Sequence, residues 1–196
     1  IWADSTLRFT SIWPLGWWCG PAAKLRLVPK VADFAPAVDL TGTLLVHAST
    51  PHRQTADIYL SRIDDSEITQ LTDDPANEVM PAFSPDGKRI AFASDRAANW
   101  DIYIMQVSGG HAIKITDDPS HDIHPRFSPD GKKLAYSSFR QQSGQWELVV
   151  VDVDNPTTRR FIGFGLFPNW SPTDHCIVFQ PACRTRYAIV QHLDAL

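Results

Sequence analysis

The chain has 196 residues, 43% hydrophobic and 20% charged, so it is long enough to bury a core and is not a disordered polymer. Its mild net charge of −4, with no extended basic run, offers no footprint for a nucleic-acid backbone. No stretch of about 18 apolar residues is present to span a membrane as a helix. Three cysteines (Cys19, Cys176, Cys183) are too few for a disulfide scaffold and form no C-x-x-C pattern, so they read as buried thiols or as one bridge with one thiol over.

The chain opens at Ile1 without a basic segment leading into an apolar run, so no signal peptide is visible, and an Ile start implies processing, truncation or a longer parent chain. Residues 1–23 hold four of the seven tryptophans: Trp2, Trp13, Trp17 and Trp18. They read either as a partial blade or as an arm that docks on a partner or at a membrane interface, since Trp is enriched at both. Residues 24–28 (KLRLV) alternate as a strand.

From residue 33 onward the dominant signal is a repeat. Pro81-Ala-Phe-Ser-Pro-Asp-Gly87, Pro125-Arg-Phe-Ser-Pro-Asp-Gly131 and Pro168-Asn-Trp-Ser-Pro-Thr-Asp174 are near copies, and Pro36-Ala-Val-Asp-Leu-Thr-Gly42 is a degenerate one. Pro36, Pro81, Pro125 and Pro168 are spaced 45, 44 and 43 residues apart, within the range of propeller blades. Each copy continues into short apolar runs such as IAFAS (90–94) and LAYSS (134–138), then DIYL (57–60), DIYI (101–104) or ELVV (147–150), and two end on an identical Asp-Asp-Pro. Four short strands per period, divided by turns, predict antiparallel four-stranded blades starting near 33, 78, 122 and 165. In Ser-Pro-Asp-Gly, Pro presets φ and Gly supplies positive φ, so Asp86 and Asp130 are turn formers.

The run PAFSPDGKRIAFASDRAANWDIYIMQVSGG (81–110) resembles the propeller repeat of the TolB family, which also occurs in propeller domains of prolyl-oligopeptidase-type and tricorn-type peptidases. The resemblance is strong over 68–154 and looser over the flanks, about 33–196 in all. It implies an all-β propeller, commonly of six or more blades and often periplasmic or exported. The family includes a binding protein that contacts a peptidoglycan-associated lipoprotein. About four blades are present here, so the chain is either a small closed ring or part of a larger propeller. In a closed ring residues 24–28 would complete the fourth blade and bring Cys19 near Cys176 or Cys183. In a larger propeller they would belong to a preceding blade.

Chemistry is weakly signalled. No G-x-S-x-G elbow is present and no room remains for a hydrolase domain, so no catalytic residue is assigned. On a strand, His121 and His124 point to opposite faces, and Asp73, Asp74, Asp117 and Asp118 lack the spacing of a calcium loop, fitting capped turns before Pro75 and Pro119 instead. No metal or cofactor is assigned. Asp95 and Arg96 read as a loop ion pair. The candidate binding residues are those expected in loops entering the innermost strands at the channel mouth: Asp33, Phe34, Asn77, Glu78, His121, Asp122, His124, Phe164 and Phe167. The expected function is a non-catalytic protein-binding scaffold, periplasmic or extracellular by resemblance, with an unidentified protein partner and membrane-complex association. A peptidase gating domain or a sugar- or small-ligand-binding propeller are the alternatives.

Overall fold

The computed structural model describes residues 33–51, 54–64, 66–172, 176–182 and 189–192. The described residues contain strands and turns and no helix. The first blade is β1 (Asp33–Val38), β2 (Leu44–Ser49), β3 (Asp57–Arg62) and β4 (Ile68–Gln70), and the second is β5 (Glu78–Phe83), β6 (Arg89–Ser94), β7 (Asp101–Gln106) and β8 (Ile113–Lys114). Each pairs antiparallel in sequence order. Six further strands follow: β9 (His121–Phe127), β10 (Lys133–Arg140), β11 (Gln145–Asp152), β12 (Arg160–Trp170), β13 (Cys176–Pro181) and β14 (Ile189–His192). The structure is an all-β partial propeller.

The Ser-Pro-Asp-Gly turns close as their chemistry dictates. Ser84 Oγ accepts the Arg89 N–H at 2.9 Å while Asp86 Oδ1 accepts the Ser84 hydroxyl at 2.5 Å and the Lys88 N–H at 3.1 Å. Ser128, Asp130, Lys132 and Lys133 repeat the arrangement. Gly87 and Gly131 take φ of +67° and +70°, which a side chain would resist. In the degenerate first copy Asp39 replaces the serine, its Oδ1 accepting Thr43 N–H at 2.9 Å and Leu44 N–H at 2.8 Å.

Each innermost strand breaks register at its proline. The breaks fall between Phe34 and Ala37, Val79 and Ala82, Ile123 and Arg126, and Leu166 and Asn169. The residue before each proline, Ala35, Met80, His124 or Phe167, has φ between +51° and +57°. Proline brings no N–H to the ladder and keeps its predecessor out of the right-handed helical region, so a bulge is where it fits.

Blades stack face to face. β5 packs on β1, β2 and β3, β9 packs on β5, β6 and β7, and β12 packs on β9. The middle strands are therefore covered on both faces, which is why they read as unbroken apolar runs: Ile90, Ala91, Phe92 and Ala93 are all fully buried. One core runs through Val46, Ile58, Phe92, Ile102 and Tyr136, and a smaller one holds Leu148, Val150, Ile177 and Phe179. Arg89 pins the second blade to the third, donating to the Gly131 carbonyl at 3.0 Å and lying 5.4 Å over the Phe127 ring.

The loops expected at the blade entrances are mostly strand: residues 33–34 open β1, Glu78 opens β5 and residues 121–124 open β9. The loop expected at 164–167 lies inside β12, which pairs with β11 through Phe164 and with β13 from Gly165 onward, serving two blades as one ribbon. The two earlier blade junctions carry Asp-Asp-Pro, which stops a strand; this junction has no such signal before Pro168. Gly165 is needed there because a Cβ would strike the Phe179 ring and lie 2.5 Å from the Gln180 carbonyl oxygen. The Trp-rich segment with Trp2, Trp13, Trp17 and Trp18, the strand at 24–28, Cys19 and Cys183 lie outside the described residues. Cys176 is buried in β13.

Candidate functional site

The hairpin loops joining β6 to β7 and β10 to β11 each lead into a tryptophan, Trp100 and Trp146, immediately before Asp101 and Glu147 in the third strand of the blade. These are equivalent repeat positions, since Asp101 pairs with Ser94 and Glu147 with Ser138. Together with Val79 and Met80 from β5, His121 and Ile123 from β9, and Phe139 from β10, they line a cleft of about 430 Å³ between the second and third blades.

Hydrogen bonds between residues about 20 apart in sequence link the segments that line the cleft. The Trp100 carbonyl accepts the Asp122 N–H at 2.7 Å, as the Ala56 carbonyl accepts the Glu78 N–H one blade earlier. The Trp100 N–H points to His121 Nδ1 at 3.4 Å, and Gln141 Nε2 lies 3.4 Å from His121 Nε2. Phe139 and Trp146 face each other across paired strands with ring centroids 5.2 Å apart. Asn99 donates to the carbonyls of Asp118 (2.8 Å) and Ser120 (2.7 Å), tying the hairpin loop to the junction leading into β9.

The same two blades also bury charged side chains. Glu78, Asp101 and Asp122 are fully buried. Glu78 pairs with Arg96, whose guanidinium also stacks 4.7 Å from the Tyr103 ring centre. Burial raises the Glu78 carboxyl above the usual range, opposed by the Thr72 hydroxyl and by Arg96. Asp101 meets Lys114 at 3.1 Å, and Arg140 reaches Glu147 at 2.9 Å and Asp118 at 3.6 Å. Arg159 pairs with Asp118 and comes within 4.0 Å of Asp122. Burial pushes Asp122 up to about 6, with the Ser138 and Thr116 hydroxyls and Arg140 pulling the other way and Asp101 adding to the rise.

The predicted site residues scatter over this frame. His121 lines the cleft, and Asp122, the next residue of β9, is fully buried. Asn77 precedes β5 and is locked to Asp95, its N–H at 2.7 Å and its side-chain amide at 2.9 Å. Asp95 is thus spoken for, and the pair expected between Asp95 and Arg96 is replaced by Arg96 with Glu78 and Asp74. His124 is kept away from His121 and packs instead on Phe167, ring centroids 4.3 Å apart, both at bulge positions. Burial, with Arg126 nearby, lowers His124 to about 4. Asp33 begins β1, 3.8 Å from His47, and Phe34 and Phe164 are exposed. Asp33, Phe34, Glu78, His121, Asp122, His124, Phe164 and Phe167 all lie within strands, and only Asn77 lies in a loop. Asp74 and Asp118 cap their turns as expected, accepting Ala76 N–H at 3.0 Å and Ser120 N–H at 2.8 Å.

Trp100, Phe139 and Trp146 were not among the predicted site residues. Their signal was present in the repeat, as a Trp at one position of two successive copies where the first copy has Ala56. Among the described residues no group of three or more His, Cys, Asp or Glu is placed to hold a metal, and no helix is long and apolar enough to cross a membrane.

Among solved structures, a putative TolB from Agrobacterium tumefaciens matches with a TM-score of 0.67 at 23% identity over 80% of this chain and 59% of its own. TolB from Acinetobacter baumannii matches at 0.66 and 20% identity over 80% of this chain and 39% of its own. An oligogalacturonate lyase in complex with manganese matches at 0.67 and 13% identity over 84% of this chain and 52% of its own. The chain thus spans between about two fifths and three fifths of these structures, and at these identities the likeness is one of fold. No curated protein matches the chain. The family model of the TolB beta propeller domain matches residues 28–191, and the chain accordingly belongs to that family.

Proposed function

We propose that this chain is a non-catalytic propeller scaffold that binds another protein, as an accessory subunit of a larger periplasmic or membrane-associated complex. The observation that carries the reading is the cleft between the second and third blades, built on paired strands and lined by Val79, Met80, Trp100, Ile123, Phe139 and Trp146 with His121 as its one polar wall. Aromatic residues and Met in a fixed concavity are the composition of a protein-binding hot spot. A sugar site would need several polar groups converging on the aromatics, and this cleft supports that reading poorly. The membership of the TolB propeller family favours binding over catalysis and a location outside the cytoplasm.

The test is crosslinking mass spectrometry on the protein isolated gently from its native source. Reproducible crosslinks from the second and third blades to another polypeptide are expected. Recovery of a solitary chain, with crosslinks only within itself, would overturn the scaffold reading.

A further inference from the structure

The arginines set into the blades have partners. Arg96 pairs with Glu78, Arg140 with Glu147 and Arg159 with Asp118, while Arg89 is held by the Gly131 carbonyl and the Phe127 ring. Arg126, on β9, stands apart. Its side chain is half-buried, and no carboxylate among the described residues pairs with it. Its one side-chain hydrogen bond there is to the carbonyl of the preceding Pro125, at 3.3 Å. Burial lowers its proton affinity with no acid opposing the change, whereas Asp101 opposes it for Arg159. A guanidinium partly withdrawn from water with one acceptor for five N–H groups is costly unless an anion joins it. The repeat does not require the charge. The residue after the innermost-strand proline is Ala37, Ala82 and Asn169 in the other copies.

The place of Arg126 in the fold is well defined. It pairs with Ala135, which belongs to the smaller core shared with β13, so both side chains lie on the face of β9 turned toward β12. Trp170 Nε1 donates to the Arg126 carbonyl at 3.0 Å, and His124 packs on Phe167 of β12. His124 Nδ1 is buried with no hydrogen-bond partner among the described residues. Burial and Arg126 hold His124 neutral at ordinary pH, so the place carries one positive charge in one planar fork.

We propose that Arg126 is the receptor for a single carboxylate, bound between β9 and β12 with His124 and Phe167 beside it. The site goes beyond the scaffold reading and does not depend on it. One carboxylate matches one guanidinium in charge and in its two-oxygen geometry. A phosphate dianion would leave a charge uncompensated where water is partly excluded, and an uncharged group would leave the guanidinium unpaired. The carboxylate belongs either to a partner protein, as an acidic side chain or a C-terminus, or to a small organic acid. The chemistry is the same for both, and the experiment separates them.

The intact isotope-labelled chain is titrated near neutral pH with sodium acetate, sodium phosphate and sodium chloride at constant ionic strength. The NMR side-chain signals of Arg126 and His124 are followed, assigned with Arg126→Met and His124→Gln. A saturable shift with acetate is expected, with phosphate and chloride at least about tenfold weaker. Arg126→Lys keeps the charge but not the fork and should weaken acetate several-fold, and Arg126→Met should abolish the His124 shift. Arg126→Met keeps the apolar stem, so its thermal midpoint should be no lower than that of the wild type. A drop of several degrees would mean that the charge serves the fold itself and would overturn the proposal. No saturable acetate shift, or equal binding of phosphate or chloride, also overturns it. With acetate binding established, loss of partner crosslinks in Arg126→Met assigns the carboxylate to the partner, and unchanged crosslinks assign it to a small acid. Partner crosslinks together with a failed titration would sink this site while leaving the scaffold reading standing.

Discussion

Replacing Asp122 by Asn changes how stability responds to pH, and the size of the effect follows from two residues of β9 that pull in opposite directions. Burial carries the Asp122 carboxyl from 3.8 to about 6. Between those values the folded chain keeps a proton that the unfolded chain has released. Stability from this group is therefore greatest below 3.8, falls as pH rises through the window and is fully lost above about 6. A shift of that size corresponds to about 3 kcal/mol. His124 works the other way. Its ring falls from 6.5 to about 4, so the unfolded chain takes up a proton that the half-buried ring refuses. Its contribution is present above 6.5 and is lost as pH falls toward 4, again by about 3 kcal/mol. In the wild-type chain the two slopes oppose each other between about pH 4 and 6.5, with Glu78 and Asp101, both raised by burial, acting in the sense of Asp122 and His47, lowered by burial, in the sense of His124. Asp122→Asn removes one of these contributions, so the variant's stability relative to wild type should rise by about 3 kcal/mol from about pH 4 to 6.5. His124→Gln should show the opposite slope. The turn carboxylates Asp39, Asp86 and Asp130, all lowered in the fold, lose their contribution below 3.8 and so act outside this window. Urea unfolding followed by tryptophan fluorescence across this range reads the effect as a midpoint change of about 1 M, at a slope of about 3 kcal/mol/M. Parallel profiles for wild type and Asp122→Asn from about pH 4 to 7 would refute the reasoning.

Two further substitutions test backbone and packing. Gly165→Ala places a methyl group against the Phe179 ring and 2.5 Å from the Gln180 carbonyl oxygen, so a loss of about 2–3 kcal/mol is expected, read as a drop of several degrees in the thermal midpoint. An unchanged midpoint would mean that β12 and β13 do not approach as described. Ala98, exposed in the 95–100 hairpin loop, sits at φ +72°, so Ala98→Gly should stabilise by about 0.5 kcal/mol in urea titration, while the neighbouring Ala97→Gly should not.

Much of the fold is legible in the residue order, because its punctuation is local. The bonds among Ser84, Asp86, Lys88 and Arg89 span five residues or fewer, so the residue types alone specify the turn, and the same spelling at Ser128 specifies it again. The pairing order within each blade and the 43–45-residue period follow from that punctuation and from the unbroken apolar runs. The continuous β12 is not legible, since the feature that marks it is the lack of an Asp-Asp-Pro stop and a glycine whose reason, Phe179, arrives 14 residues later. Neighbours along the chain also mislead: Asp95 and Arg96 point to different partners, Asn77 and Glu78, each 18 residues away.

The sequence by itself therefore determined the all-β repeat, its turns and its family, since each depends on contacts within one hairpin or on a pattern seen several times over. Tertiary structure alone decided which side chains share a site. Met80, Trp100, His121, Phe139 and Trp146 come from two blades and are separated by up to 66 residues, and they meet only because stacking sets β9 against β5, β6 and β7. The same stacking buries Asp122, half-buries His124 and shifts both of their proton affinities, since desolvation belongs to a packed interface and to no residue alone.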